Sequence, residues 1–87
     1  MAMNKQQELL VITMEECGEL IQSCSKILRS NDATGDNLKN LQDEAGDVWC
    51  MLHLMIQKNL ISEEILNKRK IKKLSKLKKW SKLLDED

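Results

Sequence analysis

Apolar residues return every three or four positions along nearly the whole chain, and no proline interrupts them. That spacing lines one side of an α-helix, and a chain with no proline and only three glycines has few ways to leave helix once it enters it. The first periodic segment, about Asn4 to Arg29, carries a main stripe of Leu10, Met14, Cys17, Ile21, Cys24 and Leu28. The second, about Asn37 to Lys58, carries Leu41, Ala45, Val48, Leu52, Met55 and Ile56. The third, about Glu63 to Leu84, carries Ile65, Leu66, Ile71, Leu74, Leu77, Trp80 and Leu84. The stretch Ser30 to Asp36 is made of turn and cap residues, with Asp36 an N-cap for the second helix and Asn59 its C-terminal stop. Ser62 caps the third helix, whose first turn holds Glu63 and Glu64 where the dipole favours anions. Residues 85–87 form an acidic tail. The fold class is all-α, with three helices and the first two antiparallel. The lack of Phe and Tyr alongside proline excludes turn-rich all-β and collagen-like chains.

At 87 residues the sequence is read as a single domain, 1–87. Such a chain buries too little surface to be comfortably stable alone, so a staple, a metal or an oligomer is expected. Three cysteines, an odd count, argue against a disulfide framework and fit a reducing, cytoplasmic location. The opening M-A-M-N-K-Q-Q lacks the apolar core of a signal peptide, and the uncharged run Val48 to Gln57 is too short to span a bilayer. No membrane role is expected. Net charge is zero but unevenly spread. Residues 1–62 hold nine acids and five bases, and residues 63–87 hold five acids and nine bases, all of the latter between Lys68 and Lys82.

The informative acids are those set against apolar stripes. At about 100° per residue, Glu16 shares a sector with Leu9, Ile12, Leu20 and Ile27, a second apolar stripe beside the main one. Glu19 lies at its edge. Glu8 and Glu15 share the opposite side with Gln22, Lys26 and Arg29, read as an ordinary solvated face. In the second helix Glu44 sits among Val48, Met51 and Met55, and Asp47 lies at the margin near Leu54. Each helix thus carries an acidic pair at i, i+3, turned inward or nearly so. Like charges three apart repel by a few tenths of a kcal/mol, and burying an uncompensated carboxylate costs several kcal/mol. No Lys or Arg falls on those faces. A divalent cation held by hard oxygen ligands, Mg²⁺ or Mn²⁺, is the simplest remedy. The bland alternative is a pair of common surface motifs.

Glu15-Glu16-Cys17-Gly18-Glu19-Leu20 reads E-E-x-x-E-L, and Asp43-Glu44-Ala45-Gly46-Asp47-Val48 reads D-E-x-x-D-V, with 24 residues between Glu19 and Glu44. Over roughly residues 8–74 this resembles the MazG-like, all-α nucleoside triphosphate pyrophosphohydrolases, whose signature is E-E-x-x-E followed by E-x-x-D. The resemblance implies an antiparallel helical bundle completed by oligomerisation, as a homodimer or tetramer. It also implies Mg²⁺-dependent cleavage of a (deoxy)nucleoside triphosphate to the monophosphate and pyrophosphate, for nucleotide-pool control or house-cleaning. By matching position Glu16, Glu19, Glu44 and Asp47 are metal ligands, and Glu15, Glu16 and Glu19 are the catalytic candidates. Asn67 and Lys70 match the family's phosphate-reaching third helix. The chain departs from the family in having only fourteen residues before Glu15 and no aromatic-Pro pair after the third helix. The first departure means that base-holding groups are missing or come from another subunit.

Other residues carry weaker signals. Trp49 could stack on a base, though it flanks the core side, where packing or an oligomer contact is expected. Trp80, on the Leu74–Leu77–Leu84 face, reads as a packing residue, and Met51 and Met55 as core or pocket wall. Cys50 and His53 stand at C-x-x-H spacing, but there is no C-x-x-C, and Cys17 and Cys24 lie on the main apolar stripe, which argues against zinc. His53 reads as a surface or interface residue. A different class of function is a basic-helix nucleic-acid-binding or partner-binding protein without catalysis. The scarcity of aromatics for base stacking argues against nucleic acid.

Overall fold

The computed structural model describes residues 2–86 and is all-helical, with three helices and no strand among those residues. The elements are α1 (Lys5–Ser30), α2 (Gly35–Gln57) and α3 (Glu63–Trp80). The chain forms two compact units, Met1–Met55 and Ile56–Asp87. No helix among the described residues is long and apolar enough to cross a membrane. Asp87 of the expected acidic tail lies outside the described residues.

In the first unit the ends of α1 are fixed by short-range polar groups. Asn4 is its N-cap: its Oδ1 accepts the Gln7 N–H at 2.8 Å, while Gln7 Oε1 accepts the Asn4 N–H at 3.0 Å. Two orphan donors of the first turn are thereby satisfied reciprocally. At the other end Asn31 takes the left-handed conformation (φ 50°, ψ 39°) and donates its N–H to the Ile27 carbonyl, closing the helix. The next residues are tied locally. Asp32 accepts from both the backbone N–H and the hydroxyl of Thr34, which holds its carboxyl below the usual range. The Asn37 amide of α2 donates back to Ser30 Oγ and the Asp32 carbonyl. Helix α2 begins at Gly35, whose φ of +54° suits a residue without Cβ, so Asp36 sits inside the first turn instead of capping it.

This short connection turns α1 and α2 into an antiparallel hairpin. The inward line of α1 is Leu9, Ile12, Glu16, Leu20, Ser23 and Ile27, of which Leu9 is buried, at 6% exposure, and the others half-buried. Met51 and Met55 are the buried residues of α2, as the sequence reading has them. The main stripe of the sequence reading faces outward: Met14, Ile21 and Leu28 are open to solvent, Leu28 at 81% exposure, and of its cysteines Cys24 is exposed and Cys17 half-buried. A helix with two apolar lines can close on either, and here the line carrying Glu16 is the one used.

In the second unit Asn59 (φ 59°) turns the chain after α2, its N–H donating to the Ile56 carbonyl. Ser62 caps α3 by accepting the Ile65 N–H, as its place before Glu63 and Glu64 leads one to expect. Helix α3 ends at Trp80, four residues short of the expected Leu84. Ser81 is extended there, and its hydroxyl accepts the Leu83 N–H at 3.0 Å, a local bond that competes with continuing the helix. Trp80, read as a packing residue, is 85% exposed, and α3 has no buried residue. Removing the cap in Asn4→Ala is expected to cost about 1 kcal/mol and truncating the core in Met55→Ala about 2–5 kcal/mol, read from urea unfolding followed by circular dichroism. Equal small losses would mean that the hairpin core is not where the buried methionines put it.

Candidate metal centre

The hairpin register brings the two acidic motifs opposite one another. Glu16 lies beside Asp47 and Glu19 beside Glu44. One oxygen from each of the four lies within 4.8 Å of the others. Glu16 and Glu44 are half-buried and Glu19 and Asp47 exposed, matching their positions inside and at the margin of the apolar sectors. The i, i+3 spacing places both members of each pair on one side of their helix, and the antiparallel crossing closes the four into a single cluster.

Two oxygens of these residues, Glu16 Oε2 and Glu44 Oε2, are buried and have no hydrogen-bond donor to meet them. An ionised carboxylate only accepts, so two of them in contact need a proton or a cation between them. The proton side of that balance is a raised proton affinity at Glu16 and Glu44. Burial pushes the Glu16 carboxyl above its ordinary value, and the charges of Glu19, Asp47 and Glu15 and the bond to Asp47 add to the shift. The Glu44 carboxyl is raised first by its hydrogen bond with Glu19, then by burial and by the charges of Glu19, Asp47 and Glu16. The chain's own cations do not help. Among the described residues the Lys and Arg ion pairs are Lys39–Asp43 and Lys68–Glu64, neither in the cluster.

The donor set suits a hard divalent cation. Mg²⁺ takes oxygens at about 2.1 Å in octahedral geometry, so ligands across the ion stand about 4.2 Å apart. Oxygens within 4.8 Å of one another are compatible with that span. These four are the residues the sequence assigned to a metal. Glu15 is exposed and outside the cluster, adding its charge beside Glu16. Trp49 is 75% exposed. Asn67 and Lys70 are exposed on α3, in the second unit. Cys17, Cys24 and Cys50 are free, and none belongs to the group of potential ligands.

The sequence reading missed what lies beside the cluster. A trench of about 520 Å³ runs along the hairpin from Glu19 and Glu44, past Ser23 and Asn40, to Lys26 and Arg29. Lys26 and Arg29 were read as a plain solvated face. Their recurrence at 19, 22, 26 and 29, one helical line with Glu19, was the available signal. No protein-family model, no curated protein and no solved structure matches the chain.

The raised Glu16 and Glu44 carboxyls set the sign of a pH dependence. A carboxyl that holds its proton more tightly in the folded chain contributes stability fully present below its unfolded value, near 4.5 for Glu, and lost as pH rises through the raised folded value. In EDTA the thermal midpoint is therefore expected to fall from pH 4.5 towards neutrality. Millimolar Mg²⁺ or Mn²⁺ should raise it at pH 7 and leave it unmoved at pH 4.5, and Glu44→Gln should flatten both responses. A midpoint at pH 7 that is indifferent to either ion would count against a cation site.

Proposed function

We propose that this chain is a Mg²⁺-dependent nucleoside triphosphate pyrophosphohydrolase of the MazG-like, all-α kind. The observation that supports it is the convergence of E-E-x-x-E and E-x-x-D onto one cluster whose buried oxygens lack a donor. On this reading Glu16, Glu19, Glu44 and Asp47 hold the cation. When bound, the ion would neutralise carboxylates and phosphates together and stabilise the charge that builds on the leaving pyrophosphate. Glu16 or Glu19 orients a water in line with the α-phosphorus and takes its proton. The bond from the α-phosphorus to its bridging oxygen breaks, leaving the nucleoside monophosphate and pyrophosphate. Asn67 and Lys70 remain the third-helix candidates for phosphate contacts. With Mg²⁺ the expected first product is pyrophosphate, and Glu44→Ala should lower turnover by at least a hundredfold with the helix content retained. Orthophosphate as the first product would overturn the assignment of the attacked phosphorus.

The same proposal includes a second copy of the chain. Three buried residues among those described are a small core for a hairpin of this length. The outward line of α1, Leu10, Met14, Cys17, Ile21, Cys24 and Leu28, keeps heptad spacing throughout. Leu38, Ala45, Trp49 and Leu52 form an outward line on α2. Each line is rotated roughly 100° in the same sense from its helix's inward side, and on antiparallel helices that brings both to one side of the hairpin. A homodimer or tetramer burying these lines would complete a helical bundle. Ile21→Glu is expected to shift the mass seen by light scattering from oligomer to monomer. A monomeric wild-type chain at tens of micromolar would remove this part of the proposal.

A further inference from the structure

Resting on the hydrolase reading, we propose that the trench between α1 and α2 seats the polyphosphate tail of the substrate, with Lys26 and Arg29 as its anion-binding residues. The trench is bipolar. Glu19 and Glu44 stand at one end and Lys26 and Arg29 at the other, with Ser23 and Asn40 between them. Lys26 lies two helical turns beyond Glu19, about 10 Å along the axis, and Arg29 about 15 Å. Helical side chains lean towards the N-terminus, so both cations reach back along the trench towards the carboxylates. Arg29 shows this: its Nε donates to the Ser25 carbonyl one turn back, at 3.4 Å. That bond leaves both terminal amino groups of the guanidinium available as a fork for phosphate oxygens.

Neither cation is paired with an acid. Among the described residues Lys26 and Arg29 have no acidic partner, and the Ser23 hydroxyl and Asn40 amide have no hydrogen-bond partner. The trench thus offers carboxylates, then neutral donors, then cations, along one line. A cation-complexed polyphosphate presents the complementary order, with the cation at one end of the chain of anionic oxygens and uncompensated charge at the other. A monophosphate spans only one end and gains little from Lys26 and Arg29. The ligand class is therefore a metal-complexed di- or triphosphate, and the trench gives the site a means of keeping triphosphate and releasing monophosphate.

The test compares wild type, Lys26→Ala/Arg29→Ala, Arg29→Lys and Lys39→Ala by titration calorimetry and turnover. Lys39 pairs with Asp43 outside the trench, so Lys39→Ala removes a positive charge without touching the proposed site. The probes are Mn²⁺ alone, tripolyphosphate with Mg²⁺, a nucleoside triphosphate and a nucleoside monophosphate. The double variant is expected to weaken tripolyphosphate binding about tenfold or more and to raise KM for the triphosphate similarly. Mn²⁺ and monophosphate binding should stay within twofold, Arg29→Lys should fall between, and Lys39→Ala should match wild type. Equal losses in Lys39→Ala and the double variant would show a diffuse charge effect and overturn the trench assignment, as would an unchanged KM in the double variant of an active enzyme. Tripolyphosphate binding that depends on Lys26 and Arg29, in a chain that hydrolyses no nucleotide, would uphold the trench and overturn the hydrolase reading alone.

Discussion

Repulsion among four carboxylates in the seam of a two-helix hairpin is the constraint to which the rest of the first unit answers. Glu16 faces Asp47 and Glu19 faces Glu44, so positions across the hairpin pair with a constant sum of residue numbers. By that register Leu9 lies level with the buried end of α2 near Met55, while Asn37 stitches the opposite end to Ser30 and Asp32. The acids sit between these two fixtures. They cannot relieve their repulsion by sliding one helix along the other without opening the core or tearing the loop bonds. What remains is to share protons, which the raised Glu16 and Glu44 carboxyls express, or to share a cation.

That arrangement explains which parts of the fold could be read from the sequence. The angular placement of Glu16 and Glu44 inside, and of Glu19 and Asp47 at the margin, follows from helical geometry alone, and their burial in the hairpin has the same order. The helices themselves were legible because nothing in the chain competes with them until Asn31, Asn59 and Ser62. Harder to see was which of two apolar lines on α1 closes the hairpin. Hydrophobicity favours the Leu10–Leu28 line, which is longer and more regular. The line through Leu9 and Glu16 is the one that meets Met51 and Met55 of α2 in the hairpin, and that is a tertiary choice invisible to periodicity. The end of α3 was misplaced for the opposite reason. Its leucine spacing continues to Leu84, but one Ser81 hydroxyl accepting a local N–H outweighs a stripe that buries nothing.

The outward lines of α1 and α2 and the inward acids impose opposite demands on the same two helices. A hairpin whose described residues include three buried side chains has little core to offset the desolvation of Glu16 and Glu44. In the proposed assembly the Leu10–Leu28 line meets a second copy, and the burial gained there holds the hairpin closed over its acids. Oligomerisation would then be a condition for keeping the carboxylates together and not an addition to a finished subunit. The carboxylates themselves lie away from that line on α1, so contact between copies need not cover them.

The order of residues along the trench follows from the same electrostatics. A lysine four residues after Glu19 would reach it as an i, i+4 partner and neutralise a ligand. That position is Ser23. A cation four residues before Glu44 would do the same from α2, and that position is Asn40. Both lie at one level of the hairpin by the constant-sum register, so a neutral layer separates the acids from Lys26 and Arg29. The separation leaves the carboxylates without a cationic partner and the cations without an acidic one within one groove, as the proposed metal and phosphate roles require. Moving either charge one turn closer would let the chain satisfy itself, and a surface that satisfies itself has no reason to bind a ligand carrying both signs.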